Sequence, residues 1–249
     1  MIVTFWEKEH NQKIYKVIIY KNLMKVEIGK TYLTGIPHEG NEITFQHPTF
    51  RGTYGNVAEQ IDNDGLKRPN SEETASLVYD AFQNSKGEYE SEIIKILKDR
   101  WFWEFTGNLY LPKSTEEISD GVILETNPKI VDGKLNMDKK SLIKRLQKND
   151  PLVNFVPFGY KLGEQTEFEL MKNPYIVARY GEEGAQKIVE IASKYQKNSK
   201  LWSFDSVNEE KIRMSTLYCD WYSGGLDVVG DNWYDYDDGC AFGVCPQKK

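Results

Sequence analysis

Apolar residues change their spacing several times along the chain, and each change predicts an element. Over the first fifty residues they come in short β-branched runs with partial alternation, Lys13–Tyr20 and Met24–Ile28. That pattern predicts strands, and Gly29, Gly35, Pro37 and Gly40 punctuate the chain after them. The period turns helical at Asn70. Its side chain can cap a first turn, Glu73 stands at capping-box distance, and Leu77, Val78, Ala81 and Phe82 share one face. A second helix is expected over Glu92–Lys98, with Ile93, Ile94, Ile96 and Leu97 as its apolar side. Trp101–Pro112 is dense in aromatics and has no helical period, so it reads as buried strand and turn packed in a core. Val122–Leu124 is a further strand, and Ile130–Leu135 carries the Asp-Gly signal of a tight hairpin.

From Asp138 to Lys197 the character is helical. Asp138 caps a helix whose face is Leu142, Ile143 and Leu146. Asn173-Pro174 supplies a cap and a first-turn proline for Tyr175–Tyr180. Gly184–Tyr195 places Ala185, Ile188, Val189 and Ala192 on one side, and strands return near Leu201–Phe204. With no internal repeat and no low-complexity linker, residues 1–249 read as one α+β domain with a helical elaboration at 138–197.

Composition narrows the function classes. A hydrophobic content of 39% with 13% aromatics predicts a folded chain rather than a disordered one. A net charge of −6 argues against a nucleic-acid partner, which needs clustered Lys and Arg. Apolar runs are only a few residues long, so no membrane insertion is expected. The segment Met1–Lys8 has neither a basic nor an apolar leader region, so no signal peptide is expected. The three cysteines, Cys219, Cys240 and Cys245, do not read as a disulfide framework. With His10, His38 and His47 far away in sequence, they do not read as a zinc site either.

The stretch Ser215–Cys245 differs from the rest of the chain. It contains no Lys, Arg, Glu, Gln or Met. Between Tyr218 and Asp238 stand six Asp, four Tyr and two Trp, and those six Asp match the whole net charge of −6. No phosphate-binding loop, zinc-protease motif or nucleophile elbow is present. Three readings of the Asp cluster remain. Asp235–Gly239 offers hard oxygens to calcium, without the ligand spacing of an EF-hand. Two Asp beside a Trp suit a glycosidase acid/base pair, if one carboxyl is poorly solvated. Alternatively, Tyr and Trp anchors with Ser, Gly, Asn and Asp between them suit a binding face of the antibody-loop kind.

Three separated segments resemble one family. Gly65–Glu73 (G-L-K-R-P-N-S-E-E) is similar to the "G-L-R-L-P-T-x-x-E" helix start of C-type lectin folds of the formylglycine-generating-enzyme type. Trp103–Leu109 (W-E-F-T-G-N-L) is similar to that group's "W-E-W-T-G-N-V", and Gly239–Val244 stands where the group ends in a "G-F-R-x-V" strand. Arg68 replaces the usual Leu, the terminal motif is altered, and no cysteine lies upstream of Cys219. The resemblance therefore implies a C-type-lectin-like fold with a helical insertion, and not the oxidase activity.

Within that fold, residues 215–245 resemble the variable region of a diversity-generating retroelement protein. There, mutagenised Asn codons yield Asn, Asp, Tyr, Ser, Cys, Gly, Val, Thr and His, but not Lys, Glu, Gln, Met or Trp. Trp221, Gly225, Leu226, Trp233 and Gly239–Val244 are then frame. The resemblance implies a ligand-binding protein rather than an enzyme, with no cofactor, in a viral or archaeal setting, virion-associated or at a cell surface. Its target is a protein or glycan. Its contact residues are Tyr218, Asp220, Tyr222, Ser223, Asp227, Asp231, Asn232, Tyr234, Asp235, Tyr236, Asp237 and Asp238. The alternatives are an enzyme of the same fold or a glycoside-acting protein using an Asp pair near Trp233, and a calcium-dependent lectin using Asp231-Asn232-Trp233.

Overall fold

The computed structural model describes residues 31–220, 224–232 and 239–246, with Asp220 described by its main chain alone. The strands expected at 13–20 and 24–28 lie outside these residues. The first described elements, β1 (Thr31–His38) and β2 (Asn41–His47), form a two-stranded hairpin. β1 runs through Gly35 and Pro37, where the sequence suggested a break. The turn falls at Glu39-Gly40, both at positive φ (48° and 73°), as a two-residue hairpin loop requires.

β3 (Phe50–Gly52) leads into α1 (Tyr54–Asn63), which the sequence pattern did not predict. Thr53 caps it by accepting from the Asn56 amide. α2 (Ser71–Gln83) starts with the expected reciprocal box. Asn70 Oδ1 accepts from Glu73 N at 2.8 Å, and the Glu73 carboxylate accepts from Asn70 N at 3.0 Å. α3 (Glu88–Asp99) extends the predicted second helix at both ends.

The aromatic segment is one uninterrupted strand, β4 (Trp101–Leu111), followed by β5 (Gly121–Thr126). The Asp-Gly hairpin forms between β6 (Lys129–Val131) and β7 (Lys134–Asn136), with Asp132 and Gly133 at φ 50° and 74°. Asp138 caps α4 (Lys139–Gln147) as expected. The stretch expected to be a helical elaboration is mixed. β8 (Val153–Pro157) and β9 (Gly163–Gln165) interrupt it before α5 (Glu167–Lys172) and α6 (Pro174–Ala192). Both strands join the main sheet, so this region is built into the core rather than added to it. Asn173-Pro174 opens α6, and Gly181, at φ 66°, kinks it where two separate helical patterns were read. β10 (Ser199–Trp202), β11 (Lys211–Asp220), β12 (Gly225–Asn232) and β13 (Gly239–Ala241) complete an α+β architecture.

Among the described residues, nine strands share one sheet, in the order β3-β13-β4-β11-β12-β10-β9, with β5 and β8 branching from β4. The branch arises because β4 is long. β11 runs along one of its edges, while β13 pairs with Trp101 and Phe102 and β5 pairs with Thr106–Leu111 on the other. Main-chain bonds from Phe105 to Pro69 and from Asn127 to Phe105 fill the gap between those two partners. β4 is buried on both faces, which is why its sequence shows aromatics without clean alternation. Phe102 and Tyr110 point to the core formed with α2, α3 and α6. Trp103 and Phe105 point to a second core with Tyr54, Val57 and Ile61 of α1. Each such aromatic contributes about 1.5–3 kcal/mol by burial.

The capping box fixes where α2 begins against this sheet. Replacing Asn70 by Ala is expected to cost about 1–2 kcal/mol, read as a lower urea midpoint at unchanged slope.

Candidate functional site

The C-terminal strands occupy the middle of the sheet. β11 lies between β4 and β12, and β12 lies between β11 and β10. The register of β11 slips at Met214–Ser215 against β4 and at Met214–Thr216 against β12. Such bulges take main-chain groups out of the ladder, and those groups need other partners when buried.

Arg179 of α6 supplies them. Its Nη2 donates to the carbonyl of Thr216 at 3.0 Å, and its Nη1 donates to that of Val229 at 2.9 Å. Thr216 and Val229 are a cross-strand pair of β11 and β12, so one guanidinium grips both strands at one level. Arg179 is also ion-paired with Glu104 of β4, and both side chains are fully buried. The Glu104 carboxylate accepts further bonds from Tyr180 OH at 3.0 Å and Ser71 Oγ at 3.2 Å. Loss of water pushes its carboxyl up, and the Arg179 charge and these donors pull it back down. A second anchor stands beside the first. Tyr110 OH donates to the carbonyl of Gly230 at 2.8 Å and meets Ser203 Oγ at 2.8 Å. Tyr175 OH donates to Asn108 Oδ1 at 2.6 Å, and Asn108 Nδ2 donates to Ser215 Oγ at 2.9 Å. Gly230 has to be glycine here, because a Cβ would overlap the Tyr175 hydroxyl.

The predicted contact residues are distributed unevenly. Tyr218 is half-buried and stacks on Trp101, ring centroids 4.6 Å apart and planes 21° apart. Asp231 is half-buried, and burial pushes its carboxyl up, with Arg213 opposing. Asp220 ends β11 opposite Gly225. Asp227 and Asn232 are only 7% and 6% exposed, because β12 is an interior strand covered along nearly its whole length. Tyr222, Ser223, Tyr234, Asp235, Tyr236, Asp237 and Asp238 lie outside the described residues, as do Trp221 and Trp233. Leu226 and the segment Gly239–Val244, expected as frame, are buried. Among the described residues, these strands gather no set of three His, Cys, Asp or Glu side chains at metal-ligating spacing. Two surface grooves, of about 880 and 610 Å³, lie elsewhere: one beside Met137, Lys139 and Glu210, the other beside Phe158, Tyr160 and Phe168.

Sequence patterns did not single out Glu104, Arg179 or the tyrosines around them. The available signal was one acid inside an apolar strand and one base inside the apolar turn Ile176-Val177-Ala178-Arg179-Tyr180. Buried charges of that kind are rare unless paired.

Comparison of the chain with protein-family models, with curated proteins and with solved structures gives no match.

Arg179→Met strands the Glu104 carboxylate and should destabilise the protein by about 3–5 kcal/mol. Combining it with Glu104→Gln should recover part of that loss. Urea midpoints of the two variants compare them directly, and a double variant less stable than the single one would contradict the pairing.

Proposed function

We propose that this protein is a binding module with a C-type-lectin-like fold, and that its C-terminal region is diversified by a retroelement to recognise varied protein or glycan targets. The observation that carries the reading is the way the frame holds β11 and β12. Arg179 and Tyr110 bond to main-chain carbonyls of Thr216, Val229 and Gly230. Those carbonyls are present whatever side chains the strands carry. A region whose side chains are exchanged needs a backbone held by bonds of this type.

The three segments that carry the family resemblance support the same reading, because they are neighbours in space. Ser71 Oγ donates to Glu104, and Phe105 N donates to the Pro69 carbonyl, joining the Gly65–Glu73 and Trp103–Leu109 segments. Lys67 and Val244 exchange main-chain bonds at 2.8 Å in both directions, joining the first segment to the last. Gly239 and Cys240 pair with Trp101 and Phe102 beside the second.

Binding needs no reaction at this face. Tyr side chains supply rigid contact area, and Asp side chains select by charge. The carbohydrate-chemistry reading has one observation in its favour: burial pushes the Asp231 carboxyl up, as a general acid requires. It needs a second carboxyl about 5–9.5 Å away.

The decisive test is the DNA beside the gene. A reverse-transcriptase gene and a near-copy of the 3′ end differing at adenines are expected, and the absence of both overturns the reading. At the protein level, replacing Tyr222, Tyr234, Asp235, Tyr236, Asp237 and Asp238 together by Ala should move the melting temperature by only a few degrees, because exposed substitutions change stability by about ±0.5 kcal/mol each. A cooperative collapse would place these residues in the core instead.

A further inference from the structure

The β1–β2 turn sets His38 and Glu39 against the first turn of α2. There His38, Glu39 and Glu72 each place one ligating atom within 4.8 Å of the other two. Ser76 decides what the imidazole presents to the carboxylates. Its hydroxyl donates to the main-chain carbonyl of Glu72 at 3.0 Å and accepts from Lys187 Nζ at 3.0 Å. His38 Nδ1 lies 3.0 Å from the same oxygen. A hydroxyl has one proton and Lys can only donate, so Nδ1 carries the hydrogen and gives it to Ser76. The lone pair of the neutral ring is then on Nε2, which faces the Glu39 carboxylate at 3.8 Å.

The result is an acceptor facing acceptors. The Glu72 carboxylate forms no hydrogen bond or ion pair among the described residues. Lys187 does not relieve it. Its three N–H groups are committed to Glu183 at 2.6 Å, the Pro37 carbonyl at 3.0 Å and Ser76. Glu183 in turn accepts from the Glu39 amide at 3.3 Å. A lone pair and two carboxylates pointed at one another need a positive charge between them.

We propose that His38 Nε2, Glu39 and Glu72 bind a divalent transition-metal ion that clips the β1–β2 hairpin to α2. One imidazole and two carboxylates are a donor set for ions such as zinc or manganese. The Nδ1–H to Ser76 bond is the arrangement by which imidazole ligands are held in the right tautomer and orientation. The proposal is independent of the binding role assigned to the C-terminal strands.

Isothermal titration of the full chain, stripped with EDTA, against ZnCl2 and MnCl2 at pH 7.5 tests it. One saturable site is expected for at least one ion, weakened at least tenfold by His38→Ala and by Glu72→Gln. Glu72→Gln removes a charge that has no partner, so the variant should fold, and circular dichroism checks this. Binding should weaken below about pH 6.5, as protons compete for the imidazole. Two results overturn the proposal: no saturable site for either ion, or a site unaffected by both variants.

Discussion

A guanidinium buried beneath the sheet sets the arrangement of the parts around it. Arg179 reaches from α6 to Glu104 on β4 and to carbonyls on β11 and β12, while Glu104 reaches to Ser71 on α2 and Tyr180 on α6. Two helices and three strands therefore meet at one ion pair with no solvent contact. Such a pair is not a strong argument for stability. Removing both charges from water costs several kcal/mol per ion, and apolar replacements of equal volume often do as well. What the pair supplies is position. A planar fork with five fixed donors accepts few arrangements of its partners, and here the partners include the carbonyls at a bulge. Any slip of β11 against β4 or β12 would leave these groups buried and unmet.

Position without dependence on side chains is the property a variable surface needs. The ladder between β11 and β12, the Arg179 forks and the Tyr110 bond to Gly230 all use main-chain atoms of the C-terminal strands. The side chains that do the gripping stand on β4 and α6, outside the stretch with the unusual composition. Strand geometry can thus stay constant while side chains on it change, within the limits set by packing.

Several elements were legible because a local rule decided them. Asn70 with Glu73, Asp132 with Gly133, Asp138, and Asn173 with Pro174 all act where the sequence placed them, since capping and tight turns depend on residues within four positions. α1 was missed although Tyr54, Val57, Ala58 and Ile61 have helical spacing, because the polar residues between them dilute a short pattern. β1 passes through Gly35 and Pro37 because a hairpin's outer strand tolerates both. β8 and β9 were hidden inside a helical stretch: each is five residues or fewer, and each is a strand only because the main sheet offers it a partner. The Glu104–Arg179 pair could not be read directly, since its members are 75 positions apart. Only their improbability as buried charges pointed to them.

The division between frame and interchangeable contents must be redrawn within the strands themselves. The family resemblance assigned every Tyr, Asp, Ser and Asn from Tyr218 to Asp238 to the contents. Yet Tyr218 and Asp227 face each other across the β11–β12 ladder, and one stacks on Trp101 while the other is buried. Asn232 is buried too, with Nδ2 directed at Thr216 Oγ1 at 3.5 Å. Replacing a buried Asp by Tyr adds a ring's volume to an interior site, and overpacking of that kind typically costs about 1–3 kcal/mol. Positions 227 and 232 should therefore accept only small polar residues, whatever the codons permit. Tyr218 and Asp231, half-buried, have more latitude. If the region is diversified, its variants should be graded in this way along β12, narrow where the strand is covered on both faces and wider where a side chain reaches the surface.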